Sequence, residues 1–208
     1  MELSLFDVLG PVMIGPSSSH TAGAARLADV ARQIAGEFVH VSFGLHGSFA
    51  RTYRGHGTDR ALVAGALGLS PQDERLRRAF DLARERGVAF DFYPTHVEGA
   101  HENTVVMTFR SADGRERTIE GASLGGGRIR ICRIDDYPAE ITADAPTLVI
   151  LQQDRQGMVS HVTQILAERG INIAVMRLSR TARGEIACCV IEVDGELLGE
   201  TPLEFSIL

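Results

Sequence analysis

The stretch Gly15-Pro16-Ser17-Ser18-Ser19-His20-Thr21-Ala22-Gly23 precedes an apolar periodicity and decides how the first half of the chain folds. Residues 21–34 repeat apolar side chains at helical spacing until Gly36. The pattern therefore predicts a loop followed by an amphipathic helix. Backbone N–H groups at such a helix start, together with the hydroxyl groups, favour a bound anion such as a carboxylate or phosphate.

His20 adds an imidazole to this loop, and imidazole exchanges protons near neutral pH. An alternative interpretation is a simple Ser or Thr helix cap with an incidental histidine. A cap needs one side-chain oxygen, however, whereas residues 17–20 supply four consecutive hydroxyl or imidazole groups. The loop is therefore a candidate site.

A second loop, Gly55-His56-Gly57-Thr58-Asp59, repeats this design after a predicted strand at residues 39–46 and before a predicted helix at residues 60–67. Glycines on both sides of the histidine permit close approach to the backbone. Taken alone, the loop also fits a capping turn with Thr58 or Asp59 as the cap. Two such loops in one domain favour a shared site with two histidines.

Two further motifs have simpler structural interpretations. In His101-Glu102-Asn103-Thr104, Asn103 is typical of a turn before a strand, and we favour a structural role for His101. Ser123-Leu124-Gly125-Gly126-Gly127 predicts a bulge or bend that a ligand or subunit approaches closely. A stand-alone serine hydrolase is disfavoured because no G-x-S-x-G elbow occurs and adjacent Ser19 and His20 do not form a triad by themselves.

The remaining pattern predicts two domains of an α+β protein, at residues 1–142 and 143–208. A charged helix at residues 73–86 and short strands at 88–93, 104–109, 116–120 and 128–134 complete the first. Residues 136–146 are rich in acids, alanine and proline, which is typical of a linker. A βαββ pattern follows, with strands at 148–152, 173–180 and 186–193 and a helix at 158–169.

Composition excludes several functions. The net charge is −6, which disfavours a nucleic-acid binder. All 21 basic residues are arginine, and the absence of lysine excludes pyridoxal-phosphate, Schiff-base and Walker-type sites. The three cysteines lack C-x-x-C spacing, so we expect no metal or cluster bound by this chain alone. Without an apolar run of about 18 residues or a secretory signal, we expect no membrane association and a cytoplasmic location.

Five motifs occur in the order found in one family: residues 15–23, Gly44-Leu45-His46-Gly47-Ser48, residues 55–59, residues 101–104 and residues 123–127. Over about residues 3–135 the chain resembles the beta chain of iron-sulfur-dependent L-serine dehydratases. Asp154-Arg155-Gln156-Gly157 and Gly170-Ile171-Asn172-Ile173-Ala174 resemble an ACT domain. The implied fold is a mixed α/β domain of the serine dehydratase beta or allosteric substrate-binding type, then a ferredoxin-like βαββαβ module.

The resemblance implies that L-serine is converted to pyruvate and ammonia on a [4Fe-4S] cluster held by a separate alpha subunit. Proton transfer would fall to His20 and His56, with the choice of base open. Residues implied to bind substrate are Ser17, Ser18, Ser19, Thr21, Thr58 and Asp59. The ACT module implies a homodimer that binds an amino acid or a monovalent cation, with Asp154, Gly157, Asn172 and Ile173 as its ligand residues.

The chain departs from the family pattern at two places. Glu102 stands where the family usually has proline. After Val193 only 15 residues follow, 194–208, so we expect the last helix of the module to be short or missing. An alternative function is a purely allosteric regulatory protein that binds serine or an anion, because the first domain also resembles, more distantly, the substrate-binding domain of some phosphoglycerate dehydrogenases.

Overall fold

A computed structural model describes residues 13–195 and 206–207. The other residues of the two predicted domains, 1–12, 196–205 and 208, lie outside the described part. No helix among the described residues is long and apolar enough to cross a membrane.

Within the described residues, the first sheet has six strands: β1 His40–Leu45, β2 Ala89–Pro94, β3 Thr104–Arg110, β4 Glu116–Gly125, β5 Arg128–Ile134 and β6 Tyr137–Ile141. Their order is β2-β1-β3-β4-β5-β6. β1 and β2 are parallel and the other neighbours are antiparallel. Parallel neighbours need a long crossover, and the helices that follow β1 supply it.

The helical segments of this domain are a π-helical turn at Ser18–Gly23, then α1 Ala24–Ala35, α2 Gly47–His56, α3 Thr58–Ala66, a 3-10 turn at Glu74–Arg78 and α4 Ala79–Glu85. α1 stops before Gly36, as the sequence predicts, and Gly36 has a positive φ of 78° that favours glycine. α1 and α3 pack so closely that a Cβ on Gly65 would lie 2.0 Å from the Ala25 carbonyl oxygen.

Three local predictions need correction. The serine-rich stretch is helical from Ser18, as a π turn, instead of a loop up to Thr21. Residues 47–56, which the sequence did not predict as a helix, form α2, so His56 ends a helix. Residues 73–86 divide into the 3-10 turn and α4.

The second sheet contains β7 Thr147–Gln153, β8 Ile173–Arg180, β9 Ile186–Val193 and β10 Ser206–Ile207, in the order β10-β7-β9-β8. All its neighbours are antiparallel. Helix α5, Met158–Glu168, connects β7 to β8. The arrangement is the predicted ferredoxin-like one, with a two-residue strand as the fourth. The expected shortening of the last helix lies outside the described residues.

The predicted linker at residues 136–146 is partly a strand. β6 pairs with β5 at the edge of the first sheet, and its residues alternate between half-buried and exposed up to buried Ile141. An edge strand tolerates Pro138, which the sequence pattern suggested was a break. The division at residues 142 and 143 stays a prediction.

The two sheets share apolar core. Val149, Cys188 and Val190 are buried in the same cluster as the core of the first domain. The opposite face of the second sheet packs on α5, through a cluster of Leu148, Ile150, Val162, Leu166, Cys189, Ile191 and Val193. Successive side chains of a strand point to opposite faces, so β9 serves both cores. The second sheet therefore lies between α5 and the first domain.

Candidate functional site

The π-helical turn holds the first predicted site motif at the start of α1. Ser17 caps it: the residue is extended, with φ of −142°, and its Oγ accepts a hydrogen bond of 3.1 Å from the His20 N–H. Single π turns inside helices are rare, and those that occur are frequently found at functional sites. Ser17, Ser18 and Ser19 are half-buried, whereas Thr21 is buried.

The imidazole of His20 is held on both sides by hydroxyl groups. Its Nδ1 lies 3.0 Å from Ser19 Oγ and 3.4 Å from Ser17 Oγ, and its Nε2 lies 3.2 Å from Ser48 Oγ. The side chain is buried and makes a T-shaped contact with the Phe49 ring, with the ring centroids 5.3 Å apart. Burial lowers the pKa of His20 below its usual 6.5, and the neighbouring His56 lowers it further. His20 is therefore favoured in its neutral form.

His56 brings the second motif to the first. Its ring centroid lies 4.8 Å from that of His20, and its backbone carbonyl accepts a hydrogen bond of 3.3 Å from Thr21 Oγ1. Unlike His20, His56 is exposed. Gly57, with a left-handed φ of 70°, lets the chain turn from α2 directly into α3. The two histidine motifs therefore lie side by side, with the buried His20 next to the exposed His56.

Thr58 and Asp59 begin α3, directly after His56 and Gly57. Thr58 is fully buried, and its Oγ1 has no hydrogen-bond partner among the described residues. Asp59 is 8% exposed, and its Oδ1 accepts 2.8 Å from the Arg60 N–H. Burial raises the pKa of Asp59, and contacts with Arg60 partly offset that rise.

The region that holds these groups matches known families. Residues 4–86 match the family described as serine dehydratase beta chain, and residues 148–201 match an ACT domain like that of the AHAS small subunit. The L-serine dehydratase beta chain of Peptoniphilus asaccharolyticus is 38% identical over 94% of this chain and 89% of its own length. The probable L-serine dehydratase beta chain of Bacillus subtilis (strain 168) is 40% identical over 92% of this chain and 87% of its own.

The chain belongs to the L-serine dehydratase beta-chain family. A more distant match, 28% identical over 118 residues, is to D-3-phosphoglycerate dehydrogenase of Mycobacterium tuberculosis (strain CDC 1551 / Oshkosh), and it covers 56% of this chain but 22% of that protein. This match bears on the alternative function considered from the sequence.

In this member of the beta-chain family, sequence reasoning missed Ser48 and Ser123 as site neighbours. Ser48 contacts His20 Nε2, and fully buried Ser123 donates a hydrogen bond of 2.8 Å from its Oγ to the Ser19 carbonyl oxygen. Ser48 follows Gly47 in the motif of residues 44–48, and Ser123 begins the motif of residues 123–127. Their places in these motifs were the signal that the sequence offered. A contact between residues 104 positions apart, however, leaves no local pattern in the sequence.

The motif at residues 101–104 has a structural role. The Glu102 carbonyl oxygen accepts hydrogen bonds from the N–H groups of Ser48, at 2.7 Å, and Phe49, at 3.4 Å, which satisfies the start of α2. His101 Nδ1 accepts from the Asn103 N–H at 3.1 Å, which fits the structural interpretation of His101. The side chain of Glu102 pairs with Arg51.

The triple glycine forms the turn between β4 and β5. Its φ angles of 89°, 62° and 77° are left-handed, which accounts for the glycines. A Cβ built on Gly125 or Gly126 would meet no atom of the described chain within 4 Å. The approach of a ligand or subunit, expected from the sequence, stays a prediction.

The residues predicted to bind the regulatory ligand lie at two ends of the second sheet. At one end, Asp154 accepts hydrogen bonds from Arg180 and the Gly184 N–H, and Gly157 caps α5 with φ of 88°. At the other end, Asn172 Nδ2 donates to Asp194 Oδ2 at 2.6 Å, and Ile173 begins β8. An eight-residue strand spans about 25 Å, so one chain does not bring the four residues together.

The resemblance assigns the iron-sulfur cluster to a separate alpha subunit, and the described residues of this chain form no set of ligands for one. They contain no group of three or more His, Cys, Asp or Glu side chains arranged to hold a metal ion. Cys188 and Cys189 are buried in β9 on opposite faces, and burial raises the pKa of each to about 11. A cluster ligand must be a thiolate, which these environments disfavour.

Proposed function

We propose that this chain is the beta subunit of an L-serine ammonia-lyase, which converts L-serine to pyruvate and ammonia with a separate alpha subunit. The observation that supports it most is the pair of histidine rings, which lie 4.8 Å apart among hydroxyl groups. The chain that carries this pair belongs to the beta-chain family. The cluster would belong to the alpha subunit. We also propose a cytoplasmic location, as expected from the sequence.

We assign removal of the substrate α-proton to the His20 and His56 pair. The lowered pKa of His20 favours its neutral form. Both of its ring nitrogens, however, already contact serine hydroxyl groups. His56 is exposed and makes no side-chain hydrogen bond among the described residues, so it can present a free nitrogen to a substrate. We therefore favour His56 as the group that takes the proton and His20 as the group that supports it.

The substrate carboxylate would lie at the start of the π-helical turn. Ser17, Ser18 and Ser19 place hydroxyl groups there, and the Thr58 hydroxyl, which has no partner among the described residues, offers a donor. Thr21 already donates to the His56 carbonyl, so its role is to hold the two motifs together. We assign Asp59 to the substrate ammonium group, because a carboxylate would repel the substrate carboxylate.

The test is reconstitution of the full chain with its alpha subunit and measurement of pyruvate release from L-serine. His20→Ala and His56→Ala should each lower kcat by about 10²–10⁴-fold, the usual contribution of a proton-transfer group. His161→Ala, a substitution of the exposed histidine on α5, is the matched control and should leave turnover unchanged. Near-normal turnover from both site variants would contradict the assignment.

For the second module we propose a homodimer formed by antiparallel pairing of two β8 edges. β8 is an edge strand among the described residues, and its Leu178 is 46% exposed. Antiparallel pairing sets the start of one β8 beside the end of the other. It would bring Asn172 and Ile173 of one protomer near Asp154 of the other, where an amino acid or monovalent cation would bind.

This dimer is tested by sedimentation of the full chain. Leu178→Glu should shift the chain toward monomer, because it puts a charged side chain into the proposed interface, where pairing would remove water from it. Val39→Glu is the control, since Val39 is similarly exposed, at 44%, in the first domain. Equal behaviour of both variants and the parent would contradict the β8 interface.

The second candidate function is purely allosteric binding of serine or of an anion, which the match to D-3-phosphoglycerate dehydrogenase favours. Anion binding needs hydrogen-bond donors but no adjacent histidine pair. It predicts that calorimetry detects L-serine binding to the chain, with wild-type affinity in His56→Ala. Pyruvate formation by the reconstituted subunits that is lost in His56→Ala would reject it.

A further inference from the structure

Ser123 of β4 lies directly behind the His20 segment, and nothing in the assigned function uses it. Its side chain is fully buried, and its Oγ donates 2.8 Å to the Ser19 carbonyl oxygen. Ser19 is also the residue whose hydroxyl contacts His20 Nδ1 at 3.0 Å. Ser19 thus connects β4 to the imidazole of His20.

The backbone on both sides is shaped for this contact. A Cβ added to Gly23 would lie 2.0 Å from Ser123 Oγ and 3.0 Å from Ser123 Cβ, so only glycine lets the helix start come this close. Ser123 itself is fixed by the Asn103 backbone, because its N–H donates 3.1 Å to the Asn103 carbonyl oxygen. The position of the Ser123 hydroxyl is therefore fixed by contacts that do not involve His20.

The π-helical turn needs such a partner. An α-helix is the more stable form for most sequences, and a π turn persists where surrounding contacts hold its displaced carbonyl groups. The Ser123 hydroxyl supplies one contact from outside the helix, at the carbonyl next to His20.

We propose that Ser123 is a positioning residue: its hydrogen bond to Ser19 fixes the π turn in which His20 faces Ser48 and His56. It touches no substrate and acts through Ser19. This inference rests on the proposed function for its catalytic consequence, but not for its structural one.

The test compares Ser123→Ala with Thr147→Val. Thr147 is also buried and also donates from its hydroxyl to a backbone carbonyl, that of Ala145 at 2.9 Å, but it lies at the start of β7. Both variants are made in the full chain and reconstituted with the alpha subunit. Ser123→Ala should lower kcat by about tenfold to a hundredfold with KM changed less than about twofold, because a misplaced proton carrier slows chemistry more than binding.

A second measurement uses the full chain alone. The imidazole nitrogen shifts of His20, recorded by ¹⁵N-labelled NMR, should change in Ser123→Ala, and Ser123→Cys, which keeps a weak donor, should restore them in part. Thr147→Val should leave both kcat and the His20 shifts unchanged. Unchanged His20 shifts together with an unchanged kcat in Ser123→Ala would overturn the proposal. If the unaltered reconstituted chain releases no pyruvate, the proposed function fails, and the His20 shifts still decide the role of Ser123.

Discussion

Thr58 carries an unusual cost for a single residue. A buried hydroxyl without a partner loses its hydrogen bonds to water and regains none, which costs about 1–3 kcal/mol. The Thr58 hydroxyl is in this position among the described residues, at the start of α3 and two residues after His56. Such a group is explained if a bound substrate completes its hydrogen bond.

Thr58→Val tests this explanation. The valine has nearly the same shape and no hydroxyl, so the free energy of unfolding of the chain, measured with urea, should stay equal or rise by about 1 kcal/mol. Pyruvate formation with the alpha subunit should fall, with the larger effect on KM. A structural hydroxyl would give the opposite stability result, a loss of about 1 kcal/mol or more.

The lowered pKa of His20 predicts an acid sensitivity. Because burial and His56 hold the folded-state pKa below the usual 6.5, the unfolded chain takes up this proton first as pH falls. The contribution of His20 to stability is therefore present above pH 6.5 and is lost as pH falls toward the lowered pKa. His56→Ala should raise the NMR titration midpoint of His20, and His161→Ala should not. An unmoved midpoint in His56→Ala would contradict the coupling.

The sequence predicted which histidines meet but not what holds them. His20 and His56 each stand in a glycine-bounded motif before a helical pattern, and their rings meet although His20 lies in a π-helical turn and His56 ends α2. Ser48 and Ser123 could not be assigned from the sequence, because each reaches His20 or Ser19 only after strands β1, β3 and β4 are in register. Local patterns report periodicity and capping, and these contacts are neither.

At the scale of elements, α2 was missed for a physical reason. Glycines at residues 47 and 55 lower helix propensity, and glycine 57 ends the helix at once. The helix forms because the Glu102 carbonyl oxygen, from the turn before β3, satisfies its first N–H groups. Its stability comes from tertiary contacts, which a propensity argument does not contain.

The contact between the π-helical turn and β4 predicts opposite effects of two glycine substitutions. Gly23→Ala should lower the free energy of unfolding by about 1–3 kcal/mol, because its Cβ would overlap Ser123. Gly55→Ala lies within α2, where no described atom comes within 4 Å of the added Cβ, so it should raise that free energy by about 0.5–1 kcal/mol. Urea unfolding of both variants checks the pair. Equal shifts would mean that the turn is not tightly packed on β4.

At the scale of the molecule, the junction between the sheets is more than a linker. Arg26 of α1 donates hydrogen bonds to the carbonyl oxygens of Ala143, at 2.7 Å, and Gly127, at 3.2 Å. Ser179 of β8 donates to the Pro138 carbonyl oxygen of β6 at 3.1 Å. The sequence predicted two modules because each has its own pattern, but the face of a buried strand turned to a neighbouring domain leaves no separate signal.

The shared core predicts that the two modules unfold together. Val190 of β9 is 2% exposed and packs with the core of the first domain, whereas Ile191 packs toward α5. Val190→Ala should cost about 1.5–3 kcal/mol, because two buried carbon atoms are removed and a cavity is left. In native-state hydrogen exchange followed by mass spectrometry, peptides from β5 and β6 should lose protection together with those from β7 and β9. Ile191→Val is the control, since it should act first on α5. Loss of protection confined to residues 147–193 in Val190→Ala would show that the second sheet is an independent unit, and a ligand bound there would then have no route through the core to His20.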